Sequence, residues 1–164
     1  MSTPFELNER TGTYSAKSEF TEQDILMMAS KIAQNKLSKG ETLSSPNMVK
    51  LYLNNLIGNR EYEVFTVVFL DSQNRVISCD EMFKGTIDAA SVYPREVVKA
   101  ALGHNAKSLI LCHNHPSGLP EPSQADRRIT RRLTDALTLI DVSILDHFVV
   151  GTEGTVSFAE RGWI

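Results

Sequence analysis

At 164 residues, with 41% hydrophobic and 23% charged residues, the chain has the composition of an ordinary soluble domain and the length for one core plus an extension. No apolar run approaches the roughly 18 residues a membrane span needs, and Met1-Ser2-Thr3-Pro4-Phe5-Glu6 lacks the basic-then-apolar layout of a signal peptide, so a cytoplasmic protein without a membrane anchor is expected. A net charge of −3 excludes a surface that binds anions throughout, while leaving room for a local basic patch.

Residues 1–20 are rich in Ser, Thr, Glu and Gly without a sustained apolar period and read as a mobile leader. Thr21 offers an N-cap with Asp24 in the first turn. Ile25, Met28, Ala29, Ile32, Ala33 and Leu37 then recur at helical spacing, predicting an amphipathic helix that ends near Lys39-Gly40. Its Met-bearing stripe reads as core or interface and carries no ligand. A second helix starts at Ser45, has Pro46 in its first turn, carries Val49, Tyr52, Leu53 and Leu56, and stops at Gly58. These two short helices form an extension over residues 21–58, ahead of a domain over residues 59–164.

Residues 62–70 predict a strand, residues 71–74 a turn, and Arg75 to about Met82 a second strand, together a β-hairpin. Glu63 shares a strand face with Phe65, Val67 and Phe69. A carboxylate there costs free energy unless it has partners. Residues 85–92 look extended, and Pro94 opens a helix through Val97, Val98, Ala101 and Leu102 that ends near Gly103-His104-Asn105, with His104 placed to cap the last carbonyls. Residues 107–112 read as a buried central strand that delivers the chain into His113. Ser123 starts another helix, with Ile129, Leu133, Ala136, Leu137 and Ile140 on one face and Arg127, Arg128, Arg131 and Arg132 largely on the other. Residues 142–150 and 155–158 are two strands around the turn Gly151-Thr152-Glu153-Gly154. Strands alternating with helices predict an α/β fold, a mixed sheet flanked by helices. Cys79 and Cys112 lie in apolar strand-like runs and read as free buried thiols.

The chemistry concentrates between His113 and Asp126. Residues two apart in an extended segment point the same way, so His113 and His115 can present both imidazoles to one ion at a strand end. Asp126, in the first turn of the next helix, can swing its carboxylate to the same point. Two imidazole nitrogens and one carboxylate leave a fourth zinc position for water, the open coordination of a catalytic site, and zinc lowers the pKa of such a water to about 7. Hydrolysis also needs a base outside the ligand set. Glu63 serves, although Glu61 has the same strand parity and periodicity leaves both open. Ser123 would offer its hydroxyl to the oxyanion, and Ser123 with Asp126 also reads as a helix N-cap, a role compatible with catalysis. His147 follows Asp146 on an apolar strand and reads as a hydrogen-bonded structural residue rather than a fourth ligand. A zinc deaminase is disfavoured because the chain has no Pro-Cys-x-x-Cys pair, and the adjacent letters His-Asn-His do not make an HNH nuclease, whose three residues are spread over a ββα unit.

His113 and His115, seven residues, then Ser123 and Asp126 reproduce the His-x-His…Ser-x-x-Asp pattern of the JAMM (MPN+) zinc metalloprotease domain. The longer string His113-Asn114-His115-Pro116-Ser117-Gly118 with Glu121-Pro122-Ser123 resembles the bacterial RadC family in particular. The likeness continues in Glu63-Val64-Phe65, Pro94-Arg95-Glu96-Val97, Asp146-His147 and the final Phe158-Ala159-Glu160-Arg161-Gly162-Trp163-Ile164, and it covers about residues 45 to 164. The resemblance implies the JAMM/MPN fold, related in architecture to cytidine deaminases. It implies one zinc ion per chain held by His113, His115 and Asp126, with Ser123 on the oxyanion side and Glu63, in preference to Glu61, as general acid/base. The implied activity is that of a zinc metallopeptidase acting on a protein or peptide substrate. The family's historical association with DNA repair supplies the alternative, a DNA-associated accessory factor or nuclease whose contacts would be Arg127, Arg128, Arg131 and Arg132. Full-length RadC proteins carry a helix-hairpin-helix region before this domain. The first sixty residues show none, so the chain reads as a short RadC-like protein. Homo-oligomerisation is left open.

Overall fold

The computed structural model describes residues 4–85 and 91–164. Two short strands, β1 (Phe5–Asn8) and β2 (Thr13–Ala16), pair antiparallel ahead of the first helix. This hairpin lies where a leader without ordered elements was expected. It has almost no buried residue, so no apolar alternation announced it.

Helix α1 (Glu22–Lys36) opens on a capping box in which the Thr21 hydroxyl accepts from Asp24 N–H and the Asp24 carboxylate accepts from Thr21 N–H. It stops at Leu37, earlier than the apolar spacing implied. Helix α2 (Pro46–Ile57) begins with proline at its first position, where the missing N–H is no loss. The hairpin β3 (Val64–Leu70) and β4 (Val76–Lys84) turns on Asp71, whose Oδ1 accepts from Gln73 and Arg75 N–H at 2.8 and 3.0 Å. Part of the extended stretch expected at residues 85–92 lies outside the described residues. Helix α3 (Pro94–Gly103) leads to β5 (Ser108–Asn114), then α4 (Gln124–Thr138), β6 (Ser143–Gly151) and β7 (Gly154–Ser157).

The five-stranded sheet runs β4-β3-β5-β6-β7 and is mixed: only β5 and β6 are parallel, joined through α4. β3 and β5 are buried along their whole length, as strands covered on both faces must be. On one face, Phe65, Val67, Phe69, Leu109 and Leu111 pack with Val97 and Ala101 of α3 and Leu133 and Leu137 of α4. On the other, Val68, Leu70, Ile110, Cys112, Phe148 and Val150 pack with Val49, Leu53 and Ile57 of α2. Cys79 on β4 and Cys112 on β5 are free thiols with β3 between them, and burial pushes the Cys79 thiol up to about 12. Among the described residues no helix is long and apolar enough to cross a membrane.

Candidate metal centre

The sequence predicted that β5 ends before His113, but the strand continues to Asn114. Parallel pairing with β6 (His113 with Val149, Asn114 with Val150) extends it, and His115 N–H adds a 2.8 Å bond to the Val150 carbonyl. The chain then turns sharply, with Gly118 N–H donating to the His115 carbonyl at 3.0 Å. Gly118 has φ +93°, which favours glycine, and its own carbonyl packs so closely on Gly151 that a Cβ there would collide. The loop is thereby seated on the β6–β7 turn, where Glu153 N–H donates to the Gly118 carbonyl at 3.1 Å. Its Leu119 carbonyl accepts from His115 Nδ1 at 2.9 Å.

Ser123 caps α4 with the same box seen at α1. Its hydroxyl oxygen accepts from Asp126 N–H at 3.1 Å, and Asp126 Oδ2 accepts from Ser123 N–H at 2.6 Å. The carboxylate so held faces both imidazoles, Oδ1 at 3.3 Å from His113 Nε2 and Oδ2 at 3.5 Å from His115 Nε2, and the two Nε2 atoms are 3.1 Å apart. Ligand atoms about 2.0–2.1 Å from a tetrahedral zinc stand roughly 3.3 Å from one another. The donor set therefore fits a zinc ion in both chemistry and spacing. The Nδ1 atoms of both rings are already hydrogen-bonded, which leaves each Nε2 for the ion. His113 is buried, while His115 and Asp126 are half-buried at the mouth. Burial pushes the Asp126 carboxyl up, but hydrogen bonds from the two histidines outweigh it and hold the group well below the usual carboxylate range. The hydrogen bond with Asp126 raises the His115 imidazole, more than its burial lowers it.

Glu63 lies just before β3 rather than inside it, so face-sharing with Phe65 does not place it. Asn114 does. Buried between the two histidines on the opposite parity, its Oδ1 accepts from Val64 N–H at 2.7 Å, and its Nδ2 donates to the carbonyls of Tyr62 at 3.1 Å and Arg60 at 3.4 Å. One amide thus clamps the chain on both sides of Glu63, whose charge is felt at His115. Stranding the buried Val64 N–H would cost about 1–3 kcal/mol. Sequence reading passed over Asn114, although an amide flanked by two candidate ligands at the end of an apolar strand was the available sign.

Residues 43–163 match the RadC-like JAB domain. The chain belongs to that family. It is similar to UPF0758 proteins of Vibrio atlanticus (63% identical over 142 residues, 87% of this chain), Vibrio cholerae (58% over 142 residues, 87%) and Shewanella baltica (58% over 137 residues, 84%). The matches span 63%, 63% and 61% of those relatives' own lengths, so the chain covers less than two thirds of each.

Two further residues of this RadC-like domain reach the site from behind. His147 of β6, buried, has Nε2 at 2.8 Å from His113 Nδ1, and its Nδ1 is 2.6 Å from the hydroxyl of buried Thr130 on α4. Burial drives the His147 imidazole well below its ordinary pKa, so it is neutral. The sequence singled out His147 but gave no sign of Thr130, because their pairing depends on how α4 lies over β6. The four arginines of α4 are exposed. Arg127 lies over the Trp163 ring at 4.3 Å, as does Arg161 at 5.0 Å, and Arg161 makes two 2.7 Å bonds to Glu121. The C-terminal tail is thus tied to the loop before α4. His104 does not cap α3 with its side chain: its Nε2 pairs with Asp80 at 2.9 Å and its ring packs on Phe69.

Proposed function

We propose that this RadC-like domain is a zinc-dependent hydrolase that cleaves a peptide or isopeptide bond in a protein or peptide substrate, with one zinc per chain held by His113, His115 and Asp126. The observation that carries this reading is the convergence of two Nε2 atoms and one carboxylate within 3.1–3.5 Å of each other, the other nitrogen of each ring being occupied.

When bound, zinc supplies a Lewis acid and a water acidic enough to ionise near neutral pH. The remaining work falls to the chain. Glu63, on the segment that Asn114 clamps, accepts the proton of the attacking water and delivers it to the leaving nitrogen as the carbon–nitrogen bond breaks, so the water's oxygen ends in the carboxylate product and its proton on the amine. Ser123 spends its oxygen lone pair on Asp126 N–H in the cap and keeps its own O–H proton, which it donates to the oxyanion that forms on the substrate carbonyl. Asp126 holds both imidazoles and the helix start, so ligand and oxyanion donor come from one rigid turn.

The test is metal analysis of the purified protein beside hydrolysis of isopeptide-linked and linear peptide libraries. One zinc per chain is expected in the wild type, none in His113→Ala, and full zinc with at least 10²-fold slower hydrolysis in Glu63→Gln. A wild-type protein that takes up no zinc overturns the reading.

A further inference from the structure

We infer that Thr130 and His147 are positioning residues which decide the nitrogen of His113 that is open to a metal. The inference rests on the zinc reading above and adds to it a device for selecting the tautomer of one ligand.

A neutral imidazole carries one N–H, and only the ring nitrogen without it can bind a metal. For His115 the choice is made by backbone: the Leu119 carbonyl at 2.9 Å can only accept, so Nδ1 keeps a proton and Nε2 is the nitrogen left to a metal. His113 has no such carbonyl. Its Nδ1 meets another imidazole, His147 Nε2 at 2.8 Å, and either ring could be the donor. The decision passes to the far side of His147, where Nδ1 lies 2.6 Å from the Thr130 hydroxyl.

That hydroxyl breaks the symmetry. Thr130 Oγ1 is 2.7 Å from the Asp126 carbonyl one turn back, and a carbonyl only accepts, so the hydroxyl proton goes there. Oγ1 then accepts from His147 Nδ1–H, His147 Nε2 is left bare, and it accepts from His113 Nδ1–H. The relay thus holds a proton on His113 Nδ1, and Nε2, facing Asp126 at 3.3 Å, is the nitrogen left to a metal. With the opposite polarity His113 would carry its proton on Nε2 and could not ligate. Thr130, His147 and His113 are all buried, which shields the order of the relay from bulk water. The relay begins at the Asp126 carbonyl and ends opposite the Asp126 carboxylate, so the residue that closes the ligand set also orients its partner. Groups behind a metal-binding histidine are worth about 10- to 100-fold in affinity.

The experiment reads the tautomer directly, by long-range ¹H–¹⁵N spectra of histidine-labelled protein, beside zinc affinity by chelator competition. In metal-free wild type His113 is expected to be protonated at Nδ1. Thr130→Val keeps the shape and removes the hydroxyl: it should weaken zinc about 10- to 100-fold and mix the His113 tautomers, while Thr130→Ser restores both. His147→Gln, whose amide oxygen can accept from His113, should retain more affinity than His147→Leu. A folded Thr130→Val protein with wild-type zinc affinity and an unchanged tautomer overturns the inference, as does wild-type His113 with no proton on Nδ1, a measurement that needs no variant to fold. If the wild type binds no zinc, the zinc reading fails, and the tautomer of the metal-free protein still tests the relay.

Discussion

Helices α1 and α4 open with the same four-residue device, Thr21 with Asp24 in one and Ser123 with Asp126 in the other. In both, the hydroxyl accepts from the N–H three residues on, at 3.2 and 3.1 Å, and the carboxylate accepts from the N-cap N–H, at 2.8 and 2.6 Å. At α1 the carboxylate stays with its own turn, and hydrogen bonds from the Thr21 backbone and hydroxyl lower the Asp24 carboxyl. At α4 the same turn faces the end of β5, and the carboxylate meets two imidazoles. A capping box specifies a helix start. What that start can bind is set by the element the fold places opposite it.

The carboxylates should separate the two turns most widely. Asp126→Ala is expected to leave gel-filtered protein without zinc, whereas Asp24→Ala retains one ion per chain. Metal still bound to Asp126→Ala would remove that residue from the ligand set.

Exchanging the hydroxyls sharpens the comparison further. Ser123→Ala and Thr21→Ala should each cost about 1 kcal/mol in urea unfolding, the ordinary worth of an N-cap side chain. Only Ser123→Ala should also slow hydrolysis, by about 10²–10³. Equal turnover in the two variants would reduce Ser123 to a cap.

The smallest effect concerns the faces behind the caps, where α4 carries four arginines and α1 only Lys31 and Lys36. If α4 contacts DNA, replacing Arg128, Arg131 and Arg132 with Gln should lower retention on low-salt DNA and flatten its salt dependence by about 0.9 log unit for each phosphate no longer neutralised. Replacing Lys31 and Lys36 should change nothing. Unaltered retention in the arginine variant ends the nucleic-acid alternative.

Much of the chain was legible because its signals act over a few residues. Pro46, the Asp71 turn and both capping boxes mark their elements through contacts within one turn, and the family pattern in His113, His115, Ser123 and Asp126 spans a single strand–loop–helix unit. The N-terminal hairpin escaped notice because its strands bury almost nothing and so show no alternation. The end of β5 was placed two residues early because its last pairs are made with β6, more than thirty positions away.

The sequence by itself determined the helix starts, the turns, the apolar runs that become β3 and β5, and the donor types of the candidate metal site, since each depends on near neighbours or residue chemistry. Tertiary structure alone decided the rest. Asn114 grips Val64 across fifty residues to place Glu63, and His147 meets His113 across thirty-four and Thr130 across seventeen. Those contacts exist only once strand register and the seat of α4 are set, and register comes from packing both faces of a buried sheet, a property of the whole chain rather than of any stretch in it.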